Sequence, residues 1–248
     1  MTYEERIIHE LRVWRKQMLR RPTMLNKLSK SVQNKLNSLI PEKVHKGITA
    51  TIRNMVKAVL FGAKWTTKGK NQFVSMVARD IAADQKISFY QGTAATEGAI
   101  TGAGGILLGL ADFPILLALK IKLLFEIAAI YGYSTHDYRE RLFILHIFQL
   151  AFSSQQHRRN IFVAMEKWDS RIHELPEDIN QFDWRSFQQE YRDYIDIAKM
   201  AQLVPVIGAP VGAVANYQLV KKLGRTAKNA YHMRWAERSM LADVRRET

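Results

Sequence analysis

Apolar residues recur along this chain at steps of three and four, not two. Ile7, Leu11, Trp14 and Met18 make one helical stripe, with Thr2 and Glu5 at capping-box spacing ahead of it and Pro22 at its end. Leu25, Leu28, Val32, Leu36 and Leu39 predict a second helix from about residue 23 until Pro41. Val44, Ile48, Ile52, Met55 and Val59 predict a third over residues 42–61. Residues 62–72 read as a connection, after which a helix resumes near Phe73 and runs through Tyr90. A polar start at residues 134–137 leads into a helix holding Leu142, Leu145, Ile147, Phe148 and Phe152. A short helix over residues 160–172, a loop over 175–184 and a charged helix over 184–202 follow. No alternating strand pattern is bounded by hairpin turns. The pattern predicts an all-α fold.

Two segments differ in kind. Residues 92–110 are rich in Gly and Ala, with Glu97 as their one charge, and they lead through Asp112 and Pro114 into an apolar run that closes at Gly132. Residues 203–220 form a second Gly/Ala/Val stretch that passes directly into Lys221, Lys222, Arg225 and Lys228. Gly98 and Gly102, Gly105 and Gly109, and Gly208, Gly212 and Asn216 are spaced four apart, which puts each set on one helix face. Glycine costs a helix about 1 kcal/mol against alanine, so close backbone packing is the expected return. Asp112 and Pro114 in one segment, and Pro205, Pro210, Asn216 and Gln218 in the other, argue against a membrane span. We expect two buried core helices packed together, with shallow membrane insertion as the alternative. The expected architecture is a single multi-helix bundle: a basic amphipathic arm over residues 1–70 packed on a helical core over 71–248.

Composition sharpens this picture through charge. The 248 residues carry a formal charge of +14 and no cysteine. Disulfides, thiol nucleophiles and zinc ribbons are therefore excluded. Residues 1–70 hold +12 and residues 203–248 hold +5, while the middle is slightly acidic. The N-terminal residues bear charges where a signal peptide needs an apolar run, so no secretion signal is expected. Arg6, Arg12, Trp14, Arg15, Lys16, Arg20 and Arg21 are the candidate surface for an anionic membrane or a partner protein. Nucleic acid is the less favoured partner, because the chain has no helix-turn-helix cue, aromatic RNA-binding motif or zinc finger.

Candidate chemistry is sparse. Glu97 and Asp112 are carboxylates in apolar sequence, hence weak catalytic candidates for an enzyme acting on a lipid or peptide. The competing reading makes Asp112 a cap for a helix beginning at Pro114, and Glu97 a polar link to Asn216 or Tyr217. Glu126 follows Lys122 by four, the spacing of a helix-surface ion pair. Lys120 and Lys122 have stems long enough to reach the surface from an apolar helix, or else mark where an apolar segment meets headgroups. Tyr231, His232, Arg234 and Trp235 mix aromatic and basic character, which suits an interface, though the plainer reading is a solvated face with a packed Trp. The seven histidines include no HxxxH or HxxE pair, and no phosphate-loop or serine-elbow motif is present. No metal or cofactor is expected.

The run at residues 102–114, GAGGILLGLADFP, resembles the central motif of the EcsC family, together with Glu97-Gly98 before it and Ile127-Ala128 through Tyr131-Gly132-Tyr133 after it. Val204-Pro205-Val206-Ile207-Gly208 through Asn216-Tyr217 is similar to the family's C-terminal motif. The resemblance covers most of the chain. It implies a neighbourhood and no reaction: the family is named for an operon that also encodes the subunits of an ABC transporter, and is linked by that context to protein secretion and processing. The expectation is a non-enzymatic accessory protein on the cytoplasmic face of the membrane, touching transporter subunits.

Overall fold

A computed structural model describes residues 1–20, 42–61, 73–102, 105–153, 155–181 and 209–247. All regular elements among them are helical: α1 (Tyr3–Leu19), α2 (Glu42–Phe61), α3 (Met76–Gly102), α4 (Gly105–Ile130), α5 (Tyr138–Phe152), α6 (Gln155–Met165), the single turn α7 (Trp168–Arg171), 3-10 turns at Ile172–Glu174 and Ile179–Gln181, and α8 (Ala209–Glu247). The helices expected over 23–41 and 184–202, the connection at 62–72, Arg21 and Gly208 lie outside the described residues.

Local chemistry sets the helix ends. The Thr2 hydroxyl accepts from the Glu5 amide at 3.2 Å, and the Glu5 carboxylate accepts from the Thr2 amide at 2.8 Å. Each satisfies a donor the helix start leaves open. Asp137 accepts from the Arg139 amide at 2.9 Å and starts α5. Gly132 adopts a φ of 90°. Its amide donates to the Ala129 carbonyl and that of Tyr133 to Ala128, which closes α4 in a left-handed turn that suits glycine. Lys167, at φ 56°, breaks the helix expected over 160–172 into α6 and α7.

One expected boundary is absent. Helix α4 continues through Pro114, so Asp112 stands inside it and does not cap a helix start. An interior proline loses a hydrogen bond and strains the turn before it, at a cost of about 3 kcal/mol. Burial of Phe113, Leu116 and Leu117 beside it offsets that cost.

Helix α5 is the centre of the bundle: Leu142–Leu145 and Ile147–Phe152 are all buried. Helices α3 and α8 make the most extensive helix pair, and α4 packs against both. Their antiparallel register is fixed by Lys228 on Asp84 and His232 on Asp80. Between these pairs and the start of α8, Gly224 lies so close to α3 that an added Cβ would stand 2.4 Å from Ile87 Cγ1. The close approach that glycine was expected to permit is realised here, at a residue outside the two small-residue segments.

The basic N-terminal segment is docked on the core. Ile7 and Trp14 belong to the same apolar cluster as α4 and α5, and Trp14 meets Phe162 edge-on at 5.1 Å. Arg15 pairs with Glu166 at 2.6 Å. Ile52, Met55 and Val59 of α2 face inward as their spacing predicts. Arg141 reaches back to the Leu60 carbonyl at 2.8 Å and satisfies an acceptor at the end of α2. Among the described residues no helix is long and apolar enough to cross a membrane.

Candidate functional site: a cleft under α1

Helices α1, α3 and α8 enclose an open cleft of about 830 Å³. Its floor at one end is a buried polar network. Asp80 falls on the inward stripe of α3 with Met76, Ala83, Ile87, Tyr90 and Ala94, so the helix carries its carboxylate into the core. One carboxylate oxygen accepts from Tyr3 of α1. The other accepts from Tyr131, just past α4, and lies 2.7 Å from His232 Nε2 on α8. One carboxylate thus ties four segments together.

Burial pushes the Asp80 carboxyl up, but His232, Tyr131 and Tyr3 more than compensate and hold it below the ordinary carboxylate value. Burial and the same carboxylate push the Tyr3 hydroxyl up to about 12 and raise that of Tyr131 further. Both phenols are therefore fixed donors at neutral pH.

The cleft runs from Asp80 to Gln91 along α3, about 16 Å at the helical rise. Asp84 holds Lys228, both carboxylate oxygens lying 2.8 Å from Nζ. Glu10 stands 3.8 Å from Arg6, whose guanidinium also covers the Tyr3 ring. Toward the far end buried Gln91, whose amide Nε2 is unbonded, and exposed Lys221 and Arg225 also line the cleft.

Behind the floor lies a second network. Tyr131 stacks on Tyr231 at 5.3 Å between ring centroids, and Tyr231 donates to Glu140 at 2.8 Å. Arg234 sits 2.6 Å from Glu140, pairs with Asp169 and lies over the Tyr133 ring at 3.8 Å. Arg238 completes the set on Asp169 at 2.6 Å. Burial opposes the Arg234 charge, yet Glu140, Asp169 and Tyr133 raise its pKa above the ordinary value. Burial raises the Asp169 carboxyl, and Arg234 with Arg238 bring it below its ordinary value.

The sequence has relatives. The model of the EcsC protein family matches residues 5–236. This chain belongs to that family. Protein EcsC of Bacillus subtilis (strain 168) is 43% identical over 235 residues, covering 94% of this chain and 97% of that protein. Uncharacterized protein YdbA of the same organism is 34% identical over 142 residues, covering 57% of this chain and 52% of that protein. No solved structure matches the chain.

The residues singled out in this EcsC-family sequence are distributed as follows. Arg12 and Lys16 are exposed on α1 and Arg20 at its C-cap, Arg6 rims the cleft, and Arg15 is exposed but paired with Glu166. Trp14 is a correction: it is 8% exposed and faces the core, because it shares the stripe of Ile7. Glu97 is half-buried on α3 and does not line the cleft. Gly98, Gly102, Gly105, Gly109 and Gly212 lie on helical backbone at the ends of α3, α4 and α8, but their packing and the Asp112 side chain are outside the description.

Three further expectations are corrected. Glu126 pairs with Lys86 of α3 at 2.8 Å and accepts from Tyr90 at 2.7 Å, while Lys122 acts on it only through space. Lys120 does not reach the surface. It is 1% exposed and donates to Asn216 Oδ1 at 3.2 Å and to the Leu116 carbonyl at 3.3 Å. Tyr231, His232 and Arg234 are buried network members and not a solvated face.

The signal that would have found them was available. Asn216, Val220, Leu223, Ala227, Ala230 and Arg234 step by three and four along the inward stripe of α8, as Asp80 does on α3. A polar residue on an apolar stripe is a buried polar residue, and it brings a partner. Among the described residues, no group of three or more His, Asp or Glu side chains is placed to hold a metal ion.

Proposed function

We propose that this EcsC-family protein is a non-enzymatic accessory protein that sits on the cytoplasmic face of the membrane, beside the subunits of an ABC transporter. The observation that carries the reading is the division of labour on α1. Ile7 and Trp14 are given to the core, while Arg12, Lys16 and Arg20 remain in solvent. A helix that needed its apolar stripe to enter lipid would leave that stripe open. A helix that docks by charge does not need to, and each cation near an anionic leaflet contributes about 1 kcal/mol. The transporter neighbourhood is what the family resemblance implies.

Flotation with phosphatidylglycerol-rich vesicles tests the membrane half. The wild type is expected to float at low salt and to be released at high salt, and Arg12→Glu/Lys16→Glu/Arg20→Glu to stay at the bottom. A wild-type protein that ignores anionic vesicles at low salt overturns the reading. In-cell crosslinking to the transporter subunits tests the other half, and it fails if only unrelated proteins are captured.

A catalytic reading has one observation of its own, the Asp80–His232 pair at 2.7 Å in an open cleft. Against it, both oxygens of Asp80 are already engaged in joining α1, α3, α4 and α8. Asp80→Asn and His232→Gln decide the matter. Loss of cellular function with an unchanged melting temperature favours catalysis, and loss of both favours the structural role.

A further inference from the structure

The far end of the cleft has unspent cations. Gln91 is 5% exposed, and its Nε2 has no hydrogen-bond partner. That nitrogen is itself buried, so Gln91 forms part of the cleft wall there without offering its amide to the open space. The cations around it divide cleanly. Lys228 is taken by Asp84 and Arg6 lies against Glu10 and the Tyr3 ring. Lys221 and Arg225, four apart on α8 and so on one face, have no carboxylate partner among the described residues. The register that sets His232 against Asp80 and Lys228 against Asp84 puts Lys221 at the level of Gln91.

We propose that this end of the cleft binds the phosphate of a phosphomonoester or phosphodiester whose organic part lies along the cleft. Two cations match a compact anion of one to two charges, and an arginine matches its paired oxygens. An inorganic ion would fill only a small part of about 830 Å³, a volume in the range of pockets for whole organic ligands. Ile7, Val13 and Ile87 supply apolar wall between the phosphate end and the Asp80 network. The acidic side chains cannot repel the ligand at that end, because Asp80, Asp84 and Glu10 each face their own partners.

The same chemistry has two sources, a soluble phosphoester and a phospholipid headgroup. Isothermal titration of the full chain with glycerol 3-phosphate, and with dihexanoyl phosphatidylglycerol below its micelle concentration, separates them. At least one probe is expected to bind at millimolar or better, at least tenfold tighter than inorganic phosphate. Lys221→Gln/Arg225→Gln, both exposed positions that leave the core untouched, is expected to weaken binding at least tenfold with an unchanged melting temperature. Binding of glycerol 3-phosphate supports a soluble ligand, and binding of the short-chain lipid alone supports a headgroup. Binding of neither, or equal binding by the double variant, overturns the proposal. Arg12→Glu/Lys16→Glu/Arg20→Glu lies outside the cleft and is expected to bind the small probes normally. That variant makes failure of vesicle docking and failure of this site distinguishable.

Discussion

Helix α8 meets two buried cations and meets them differently. Near its beginning Asn216 offers Lys120 a neutral amide oxygen, and the second acceptor of Lys120 is a backbone carbonyl. Near its end, Arg234 is embraced by Glu140 and Asp169 and covered by the Tyr133 ring. The two are about equally buried, at 1% and 2% exposure. Burial pulls the Lys120 ammonium down to about 7, whereas the carboxylates drive Arg234 above its ordinary value. Partners, and not depth, decide whether a buried group keeps its charge. The first half of α8 therefore holds a tolerated polar group, and the second half a built ionic node.

The sharpest way to break this contrast is Arg234→Met. It strands Glu140 beside Tyr231 without a cation, and a buried pair broken from one side loses about 3–5 kcal/mol. Urea unfolding measures it, and a loss under about 1 kcal/mol would deny the node its role.

Lys120→Met has the opposite sign. With a folded value of about 7 and an unfolded value near ~10.4, the unfolded chain binds more protons between those limits. Wild-type stability therefore rises with pH across that window. Below about pH 7 both states carry the proton and the full cost of burying it is present. The variant is expected to be more stable by about 1–4 kcal/mol near pH 6, with the gain shrinking toward pH 10. Unfolding curves of both proteins at several pH values check this.

Between the two cations, Gly224→Ala is expected to cost about 1–2 kcal/mol. The overlap with Ile87 outweighs the gain in helix propensity. Combined with Ile87→Ala, the loss should fall short of the sum of the single variants, since both act on one contact.

The smallest expected effect concerns Asp80. Its folded pKa is lowered, so its contribution is present above the unfolded value near ~3.9 and is lost as pH falls through the folded one. Asp80→Asn should flatten the acid limb of the stability profile below about pH 4, read by circular dichroism at fixed urea.

What the sequence made legible was local. Thr2 with Glu5, Asp137 and Gly132 announced helix ends because capping is decided within a few residues. Apolar stripes announced which face of α1 and α2 turns inward. Pro114 misled, since its cost was met by tertiary burial invisible to a local rule. The polar network at the floor of the cleft joins Asp80 to Tyr3, Tyr131 and His232, which lie 51 to 152 residues from it, and no window of sequence contains them together. Asp80 was still marked singly, as a polar residue on an apolar stripe, but the stripe names no partner.

The span of 152 residues between Asp80 and His232 also sets an order of events in the cell. Chains grow at about 5–20 residues per second, so Asp80 waits roughly 8–30 s for its imidazole. Throughout that interval α1 and α3 are made but lack the helix that seals them, and their apolar stripes face solvent or a chaperone. Because the dominant helix pair joins a middle segment to the last one, the bundle closes late and from its C-terminal end. A ribosome stalled before α8 would release a chain with most of its helices and no cleft.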